Sequence, residues 1–551
     1  MRQYRRSHMD PIMTTLSVAV GLFLFSGCAS RSTTLPPPTL FTPIPADFAH
    51  TWAKDTHPFT GAAVIDVEGD GTFEVFVGGG EGQRDALLSY RDGRLVNIEP
   101  GTGLSKDSTT YGSTAIDLDA DGDTDLLVAR EDGVSLYLND KGRFQERRIP
   151  VNLPADSVPF AVAVADIDHD GDGDLYISVF VNAKTFRSAT FNDPTHAKPN
   201  RLLLNNGDLT FTDITESSGT ASKQNTFLSV FVDLDTDGWQ DLVVSQNTGA
   251  VEIFRNMKDR TFQPITVSSV FGFWMGLAIG DIDKDGDQDL FFTNVGTSIP
   301  LFLTTGDLRK DQRHTHDWML LRNDGNFHFT DVTETYGLSG EGFAWGAVFE
   351  DLNLDGELDL LVAQNYIKWP VHQYLKLSGR TALQSTEHGK PVFHHTPSLG
   401  LENPYFGQAP VIVDLDGDGK QDLLWLNING PARAFLNTTR ANYLTITVPD
   451  RVTAIGTRVT LETDKGKSDT RAVIGTVGML TDQTPELSFG LGDREQVVRA
   501  VIQYPNGQTE VIAAPPINTK IRLQRGPIMN ASMPMSITVE QSRPQTSQHP
   551  N

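Results

Sequence analysis

The chain has 551 residues, with 45 Lys and Arg against 70 Asp and Glu, so its formal charge is −25 at pH 7. This acidic excess argues against binding to nucleic acid, whose phosphates are also negative. Because 38% of the residues are hydrophobic, the chain can form a large core, and disorder is excluded for most of it. A single cysteine excludes an internal disulfide framework and a thiolate-only metal cluster.

The N-terminus has the order of a bacterial secretory signal. Three arginines precede an apolar run over residues 16–25, which is too short to span a bilayer comfortably. Phe25-Ser26-Gly27-Cys28 then resembles a lipobox, in which a peptidase cleaves before the cysteine and the thiol is acylated. We therefore expect a signal peptide over residues 1–28, lipid on Cys28, and a protein anchored in the bacterial cell envelope, in the outer membrane, periplasmic or surface-exposed. The alternative is an ordinary signal peptide with an incidental cysteine.

One acidic pattern, D-x-D-x-D-G-x-x-D with small variations, recurs seven times. Each copy lies between two apolar runs, such as residues 161–165 and 175–179, which predicts a strand, a tight loop and a second strand. The residues at places one, three, five and nine are Asp66, Glu68, Asp70 and Glu74; Asp117, Asp119, Asp121 and Asp125; Asp166, Asp168, Asp170 and Asp174; Asp233, Asp235, Asp237 and Asp241; Asp281, Asp283, Asp285 and Asp289; Asp351, Asn353, Asp355 and Asp359; and Asp414, Asp416, Asp418 and Asp422.

A second hairpin follows in most of these units, as in residues 202–213. Four antiparallel strands in about 50 residues are typical of one propeller blade. Seven units favour a closed ring, because closure removes exposed strand edges. The seventh unit stops near Asn437, so we predict that a strand at about residues 47–58 completes its blade.

The acidic loops have the donor set of a hard cation. Places one, three and five bring oxygen ligands to one side of a turn, glycine at place six permits the reversal, and place nine returns another carboxylate. Such oxygen ligands suit Ca²⁺, whereas Zn²⁺ prefers His or Cys. Seven divalent ions would reduce the charge of −25 to −11. The alternative is that the loops are ordinary Asp/Gly turns.

The loops resemble the FG-GAP or VCBS repeats of integrin-α-like propellers over roughly residues 60–438. Tyr111-Gly112, Trp345-Gly346 and Phe406-Gly407 stand where those repeats have Phe-Gly. The resemblance implies up to seven structural Ca²⁺ ions, so we assign the loops to folding rather than catalysis. The expected fold is all-β: a seven-bladed propeller over residues 47–438, followed by a small β-sandwich-like domain.

Different strands begin at Asn442. Asn442-Tyr443-Leu444, Gly456-Thr457-Arg458-Val459, Phe489-Gly490-Leu491-Gly492 and Tyr504-Pro505-Asn506-Gly507 resemble the ASPIC/UnbV domain, which follows such propellers in the family of proteins similar to cartilage acidic protein 1. We expect this domain over residues 441–526. Residues 29–46, with five prolines, predict a tether, and residues 527–551 predict a disordered tail.

Three units carry extra residues after their second strand, at about residues 182–200, 296–317 and 366–395. These loops project from the face opposite the acidic loops and are rich in aromatic and cationic residues, which suggests recognition of an acidic or carbohydrate-like partner. The residues concerned are Phe186, Phe191, His196, Lys198, Arg309, Arg313, His314, His316, Trp369, His372, Tyr374, His394 and His395. The alternative is that the loops pack on each other and on the second domain.

An aromatic residue also precedes the first strand of each blade, in the set Phe59, Tyr111, Phe160, Phe227, Trp274, Trp345 and Phe406. This set either packs between blades or forms a ligand-stacking ring at the channel mouth. The two histidine pairs, 314/316 and 394/395, could bind a transition metal, but no matched third ligand is evident.

The acidic loops account for the carboxylate pairs, and we find no catalytic set, nucleophile elbow or nucleotide-binding fingerprint. The sequence therefore predicts a calcium-stabilised envelope lipoprotein that binds a glycan or an envelope or extracellular protein. The alternative is a lyase- or cyclase-like enzyme with its pocket at the channel mouth.

Overall fold

The computed structural model describes residues 39–523 and 537–541, apart from residues 54, 105, 222–224, 365, 369–372, 376–379, 388–389, 396–398, 450 and 465–467. The predicted signal peptide, Cys28, most of the predicted tether, Trp369 and His372 lie outside the described residues. Within the described ranges, we find no helix with the length and apolar character that a membrane crossing requires.

Seven sheets follow one another along the chain, each with four antiparallel strands that form one propeller blade, and two of them carry a short fifth strand in addition. The first strands of blades 1 to 4 contact one another in order, as do those of blades 5 to 7, and blade 7 contacts blade 1. Blades 4 and 5 are joined by a 2.9 Å hydrogen bond from Asn323 Nδ2 to the Leu234 carbonyl. The ring is therefore closed, and the all-β propeller prediction is confirmed.

The blade strands are Ala62–Ile65, Glu74–Val77, Ala86–Arg91 and Arg94–Asn97 in blade 1; Thr110–Ile116, Asp125–Arg130, Gly133–Asp140 and Arg143–Ile149 in blade 2; Ser157–Ala165, Asp174–Val181, Arg201–Asn205 and Phe211–Asp213 in blade 3; Thr226–Val232, Asp241–Gln246, Gly249–Asn256 and Phe262–Gly272 in blade 4; Leu277–Gly280, Asp289–Phe292, Met319–Asn323 and Phe329–Asp331 in blade 5; Ala344–Glu350, Asp359–Gln364, Arg380–Glu387 and Lys390–His395 in blade 6; and Gly407–Val413, Asp422–Asn427, Arg433–Asn437 and Phe41–Ile44 in blade 7.

The N-terminal side of the chain completes blade 7. Phe41–Ile44 pairs antiparallel with Arg433–Asn437. Closure by an N-terminal strand is as predicted, but the predicted position at residues 47–58 is wrong, and the tether predicted over residues 29–46 is too long at its C-terminal end. The physical reason is Phe41, which is fully buried among apolar residues of blades 6 and 7.

Neighbouring first strands approach so closely at the channel that only glycine fits at some places. A Cβ on Gly112 would lie 2.3 Å from the Phe160 carbonyl oxygen, and one on Gly346 would lie 2.9 Å from that of Gln408. These are the glycines of the Tyr111-Gly112 and Trp345-Gly346 pairs. The glycine of each pair therefore lies where two neighbouring blades are in close backbone contact.

In four blades, an asparagine at the end of the third strand links the blade to the one before it. Its Nδ2 donates to a carbonyl in the acidic loop of the preceding blade, and its backbone N–H donates to the ninth residue of its own loop. The side-chain pairs are Asn139 with Val67 (3.0 Å), Asn256 with Ile167 (2.9 Å), Asn323 with Leu234 (2.9 Å) and Asn437 with Leu352 (3.1 Å). Sequence reasoning missed this role, although an asparagine recurs in the predicted second hairpins, as Asn205 in residues 202–207 and Asn323 in residues 320–325.

The C-terminal domain has two four-stranded sheets around a core that includes Leu444, Val459, Phe489 and Ile502, which confirms the β-sandwich-like prediction. One sheet contains Glu486–Gly492, Asn442–Thr447, Thr519–Leu523 and Ile537–Gln541, and the other contains Ser468–Ala472, Arg458–Thr463, Val497–Gln503 and Thr509–Ala513. The segment predicted as a disordered tail over residues 527–551 therefore contains a strand, because residues 537–541 pair with the edge of the first sheet.

Short elements complete the described structure. They are a hairpin of Tyr366–Lys368 and Gln373–Leu375 in blade 6, the strand Arg313–His314 beside blade 4, the strand Thr481–Asp482 beside blade 1, the 3₁₀ turns Gly296–Ser298 and Val452–Ala454, and the α-helical turn Leu301–Thr304.

Candidate metal centres and the domain interface

The first aspartate of each acidic loop accepts hydrogen bonds from backbone N–H groups of its own turn. In blade 3, Asp166 accepts backbone hydrogen bonds from Asp170 (3.1 Å) and Gly171 (3.1 Å), and the same pattern recurs at Asp233 in blade 4 and Asp281 in blade 5. The glycine at place six has φ between +87° and +107° in all seven loops, which is a conformation that side chains rarely adopt. The predicted reversal at this glycine is confirmed.

The ninth residue brings a carboxylate back beneath the turn. Asp241 accepts one hydrogen bond from the Leu234 backbone N–H (3.0 Å) and another from that of Asn256 (2.9 Å). It is 2% exposed, so its orientation is set by the blade rather than by solvent. In blades 1 to 5 and in blade 7, the ninth residue links the loop in this way to the third strand of the blade.

Carboxylate oxygens converge in five of the seven loops. In each of these loops, three carboxylates offer oxygens that all lie within 4.8 Å of one another. The groups are Asp117, Asp119 and Asp125; Asp166, Asp168 and Asp174; Asp233, Asp235 and Asp241; Asp281, Asp283 and Asp285; and Asp414, Asp416 and Asp422. Asp168 Oδ1 and Asp235 Oδ1 are also buried without a hydrogen-bond partner among the described residues. The donor set and these oxygens fit a hard divalent cation.

The same environment raises the pKa values of the converging groups. Burial, reinforced by neighbouring carboxylates, raises the pKa of Asp174 and of Asp241 to about 8. Burial with the adjacent Asp285 raises that of Asp281 to about 7. A cation between these groups would therefore favour their ionised form, because desolvation and like-charge repulsion both oppose the charged form.

The C-terminal domain covers the face that carries the acidic loops, and it contacts all seven. The contacts are Arg522 with Asp66 (2.8 Å), Arg451 with Asp117 (3.8 Å), Val452 against Gly173, Pro505 against Gly238, Arg458 with the Gly286 carbonyl, Gly490 with Asp351 (3.0 Å) and Lys520 with Asp414 (2.6 Å). This acidic-loop face is thus an internal domain interface.

The four phrases that resemble the ASPIC/UnbV domain all lie at this interface. The Tyr443 hydroxyl donates to the Asp418 carbonyl (2.5 Å), and Arg458 donates to the Gly286 carbonyl. A Cβ on Gly490 would lie 2.1 Å from Asp351 Oδ2, and the carbonyl of Pro505 lies against Gly238. In this chain, residues of all four phrases therefore dock the domain onto the acidic loops, a role that sequence reasoning did not assign.

A segment of the C-terminal domain, residues 473–484, fills the propeller channel from the acidic-loop face; we call it the plug. Met479 and Leu480 at its tip are fully buried among the first strands. Hydrogen bonds join the plug to different blades: Gly478 to Leu277 (2.8 Å), Ala115 to Asp482 (2.8 Å) and Ile412 to Gln483 (2.8 Å). Thr481–Asp482 also adds a parallel strand to blade 1.

The aromatic set closes the opposite end of the channel. Phe59 contacts Phe227 (ring centroids 5.6 Å apart) and Trp345 (5.0 Å), and Phe160 contacts Phe227 (5.8 Å), so rings from blades 1, 3, 4 and 6 meet. Tyr111, Phe227 and Trp274 are at most 3% exposed. Their prediction as ligand-face residues is corrected: they pack between blades, while Trp345 is partly exposed.

Two of the three long loops lock together over blade 4. The Asp307 carboxylate accepts backbone hydrogen bonds from Phe191 (2.5 Å) and Asn192 (3.0 Å), and Asn192 also bonds Gln312 (2.8 Å). Both loops follow the second strand of their blades, so they lie on the predicted face, which we call the long-loop face. The alternative prediction that these loops pack on each other is correct for this pair, but the second domain lies on the other face.

The third long loop was predicted too long. Residues 380–387 and 390–395 form the third and fourth strands of blade 6, so His394 and His395 lie on its outer strand and not in a loop. His394 is therefore removed from the ligand-face residues.

Arg313 is exposed on the long-loop face, but His314 and His316 are only partly so. Their rings lie 4.7 Å apart, and His316 Nε2 bonds Thr304 Oγ1. Burial, with the adjacent His316, lowers the pKa of His314 to about 4. No third metal ligand joins the pair among the described residues.

The long-loop face combines exposed rings with exposed cations. Trp52, Phe186 and Phe302 are 43%, 36% and 70% exposed. The exposed cations of the two interlocked loops are Lys184, Arg187, Arg309, Lys310 and Arg313. This local basic character contrasts with the overall charge of −25.

The fold and its loops define a propeller of FG-GAP-like repeats that carries an ASPIC/UnbV domain. The FG-GAP-like repeat family matches residues 66–128, 117–177 and 233–292, and the family described as ASPIC and UnbV matches residues 449–528. A propeller of this kind is a binding or interaction module.

The chain is homologous to cartilage acidic protein 1. It is 25% identical to the Homo sapiens protein over 486 residues, covering 81% of this chain and 69% of that protein. It is 23% identical to the Xenopus tropicalis protein over 549 residues, covering 92% and 79%.

Two solved structures are also similar. One is an Agrocybe aegerita lectin that recognises non-reducing terminal N-acetylglucosamine, with 17% identity, a TM-score of 0.38 and coverage of 68% of this chain and 93% of the lectin. The other is the exotype rhamnogalacturonan lyase YesX, with 12% identity, a TM-score of 0.38 and coverage of 73% and 76%.

Proposed function

We propose that the protein is a calcium-stabilised binding module whose long-loop face recognises an anionic carbohydrate chain in the bacterial cell envelope. The observation that carries this proposal is the division of the propeller into two faces. The C-terminal domain contacts all seven acidic loops on one face, whereas interlocked loops display rings and cations on the other.

Calcium has a structural role in this proposal. The converging oxygens of five loops lie at the ends of first strands, between the blades and the C-terminal domain. Residues such as Asp168, Asp235 and Asp241 would hold the ion, which supplies the positive charge that lets buried carboxylates stay ionised. Ion binding therefore stabilises the folded ring and the docked domain together.

The long-loop face supports a carbohydrate partner because exposed rings offer stacking surfaces for sugar faces. Phe302 and Phe186 provide such rings, and Lys310 and Arg313 stand on the same interlocked loops. Arg187 and Arg309 are paired with Asp193 and Asp311. Among the described residues, Lys310 and Arg313 make no ion pair, so their charges are available to carboxylate, sulfate or phosphate groups.

The alternative of an enzyme with its pocket at the channel mouth is disfavoured. The meeting rings of Phe59, Phe160, Phe227 and Trp345 occupy that mouth, and the plug occupies the other end. A catalytic pocket needs converging polar groups that a substrate can reach.

Binding is tested with the full mature protein against immobilised anionic and neutral polysaccharides at low and high salt. We expect retention by the anionic chains that falls with salt. Lys310→Glu with Arg313→Glu abolishes retention, whereas Arg143→Glu, an exposed cation on the outer strand of blade 2, leaves it unchanged. If the double variant and Arg143→Glu are retained equally, the assignment of binding to the long-loop face is contradicted.

Calcium is tested separately by thermal unfolding in chelator and in millimolar Ca²⁺. We expect a lower Tm in chelator, and identical values contradict the structural role.

The envelope location and the lipid on Cys28 are part of the proposal and rest on the lipobox-like phrase at residues 25–28. Labelling of cells with a fatty-acid analogue should mark the wild-type chain and not Cys28→Ser. Equal labelling of both contradicts acylation at this residue.

A further inference from the structure

The acidic loop of blade 1 is occupied by an arginine from the C-terminal domain. Arg522 Nη2 lies 2.8 Å from Asp66 Oδ2, and its Nη1 lies 3.5 Å from the Gly69 carbonyl. A Cβ on Gly71 would lie 2.9 Å from the same guanidinium, so the group fits against the glycine of place six. The guanidinium thus contacts three parts of the turn and presents positive charge to its first carboxylate.

The other carboxylates of this loop do not gather around a common point. Glu74 at place nine accepts hydrogen bonds from Ser89 (3.1 Å) and the Val67 backbone N–H (3.5 Å), and Glu68 at place three is exposed. Among the described residues, loop 1 is not one of the groups whose oxygens converge within 4.8 Å.

The loop of blade 6 is closed in a different way. Asp351 Oδ2 accepts backbone hydrogen bonds from Gly356 (2.8 Å) within the loop and from Gly490 (3.0 Å) of the C-terminal domain. Asn353 at place three is neutral, its Nδ2 donates to Asp355 Oδ2 (2.9 Å), and its Oδ1 accepts from the Asp355 backbone N–H (3.1 Å). Arg494 of the C-terminal domain also lies against Gly356.

Contact with a cation does not by itself prevent convergence. In blade 3, Arg260 contacts Asp168 (2.5 Å), and in blade 7, Lys520 contacts Asp414 (2.6 Å), yet three oxygens converge in both loops. Loops 1 and 6 differ because a domain contact at the first carboxylate coincides with a place-three residue that brings no carboxylate to the site. In loop 1 Glu68 is exposed, and in loop 6 Asn353 is neutral and bonded to Asp355.

We infer that the loops of blades 1 and 6 are closed by the C-terminal domain in place of a metal ion, so that the folded chain holds five divalent ions and not seven. This inference rests on the calcium binding proposed above. The second domain contacts all seven loops, but the loops are then of two kinds: five bind metal, and two are closed at their first carboxylate by Arg522 and Gly490 without metal.

The first experiment counts bound Ca²⁺ per full-length chain by elemental analysis after equilibration with the ion and removal of the excess. We expect five ions. A count of six or more, or of one to four, overturns the assignment. A count of zero, with a Tm that chelator leaves unchanged, overturns the proposed calcium role itself, so the two failures are distinguishable.

The second experiment compares matched substitutions at place three of two loops. Glu68→Ala in blade 1 should leave five ions, because Glu68 is exposed and binds none. Asp168→Ala in blade 3 should leave four, because Asp168 belongs to a converging group and alanine offers no ligand oxygen. Loss of an ion from Glu68→Ala overturns the inference for loop 1.

A third pair tests loop 6 in the same assay. Asn353→Ala removes the place-three amide and should leave five ions, whereas Asp235→Ala at the same place in blade 4 should leave four. Loss of an ion from Asn353→Ala overturns the inference for loop 6. Folding of each variant is verified by its thermal transition before ions are counted.

Discussion

The backbone N–H of Gly490 and Oδ2 of Asp351 form a 3.0 Å hydrogen bond that joins the C-terminal domain to the first residue of an acidic loop. Gly490 approaches so closely that a Cβ would lie 2.1 Å from this oxygen and 2.4 Å from backbone atoms of Leu354. The domain is therefore docked by backbone contact at this loop, with no space for a side chain.

Gly490→Ala should destabilise the protein by at least about 2 kcal/mol, because backbone atoms on the other side of the contact must move. Chemical denaturation measures the loss. Gly475→Ala is the matched control, since the nearest atom to its Cβ would lie at 3.6 Å. Similar stabilities of the two variants would show that the domains are not in close contact at Gly490.

Asn256→Ala should lower the free energy of unfolding by about 1–3 kcal/mol. Its side chain is 2% exposed and donates to the Ile167 carbonyl of the preceding blade, which would be left buried without that donor. Asn206→Ala, in an exposed turn, should change stability by less than about 0.5 kcal/mol. If the two variants lose the same free energy of unfolding in urea, a stabilising contact between Asn256 and the preceding blade is contradicted.

Arg130 and Asp85 form an ion pair (2.7 Å) whose side chains are fully buried. Arg130→Met should cost about 3–5 kcal/mol, because it leaves a buried carboxylate without its cation. Adding Asp85→Asn should recover part of that loss by removing the charge. A double variant as unstable as the sum of the two single variants would contradict the pairing.

His57 should make the folded state sensitive to mild acid. Burial lowers its pKa from 6.5 to about 4, while its Nε2 bonds the Val181 carbonyl (2.8 Å). The unfolded chain takes up a proton below pH 6.5 and the folded chain does so only near pH 4. The contribution of His57 to stability is therefore complete above pH 6.5 and falls by up to about 3 kcal/mol between these values.

His57→Gln should flatten this part of the pH profile in denaturation experiments from pH 7 to pH 4. His395→Gln, at an exposed position on the outer strand of blade 6, serves as the control and should retain the wild-type slope. Parallel profiles for the wild type and His57→Gln would contradict the burial of a neutral imidazole.

The repeats alone were sufficient to predict the blades. Each acidic loop specifies its own turn, since Asp166 bonds to backbone groups four and five residues away and glycine follows at place six. Such contacts are local in the chain, so a single sequence reveals them. The predicted strands on either side follow from the apolar runs that the blades bury.

The position of the closing strand was missed because Phe41–Ile44 is short and lies among prolines. Its burial depends on Arg433–Asn437, almost 400 residues away, and no local pattern records that pairing. The aromatic set was found by its spacing, but only the structure distinguishes packing from ligand binding, because the first strands bring Phe59, Phe227 and Trp345 together across the channel.

The sequence by itself determined the repeating unit, the oxygen-rich loops and the change of domain near residue 442, because these depend on neighbours within a few residues. Only the tertiary structure decided which face stays open and which loops gather their carboxylates around one point. Both outcomes depend on Arg522, Gly490 and the plug reaching the propeller from the C-terminal domain, and contacts between such distant segments are set by packing in three dimensions.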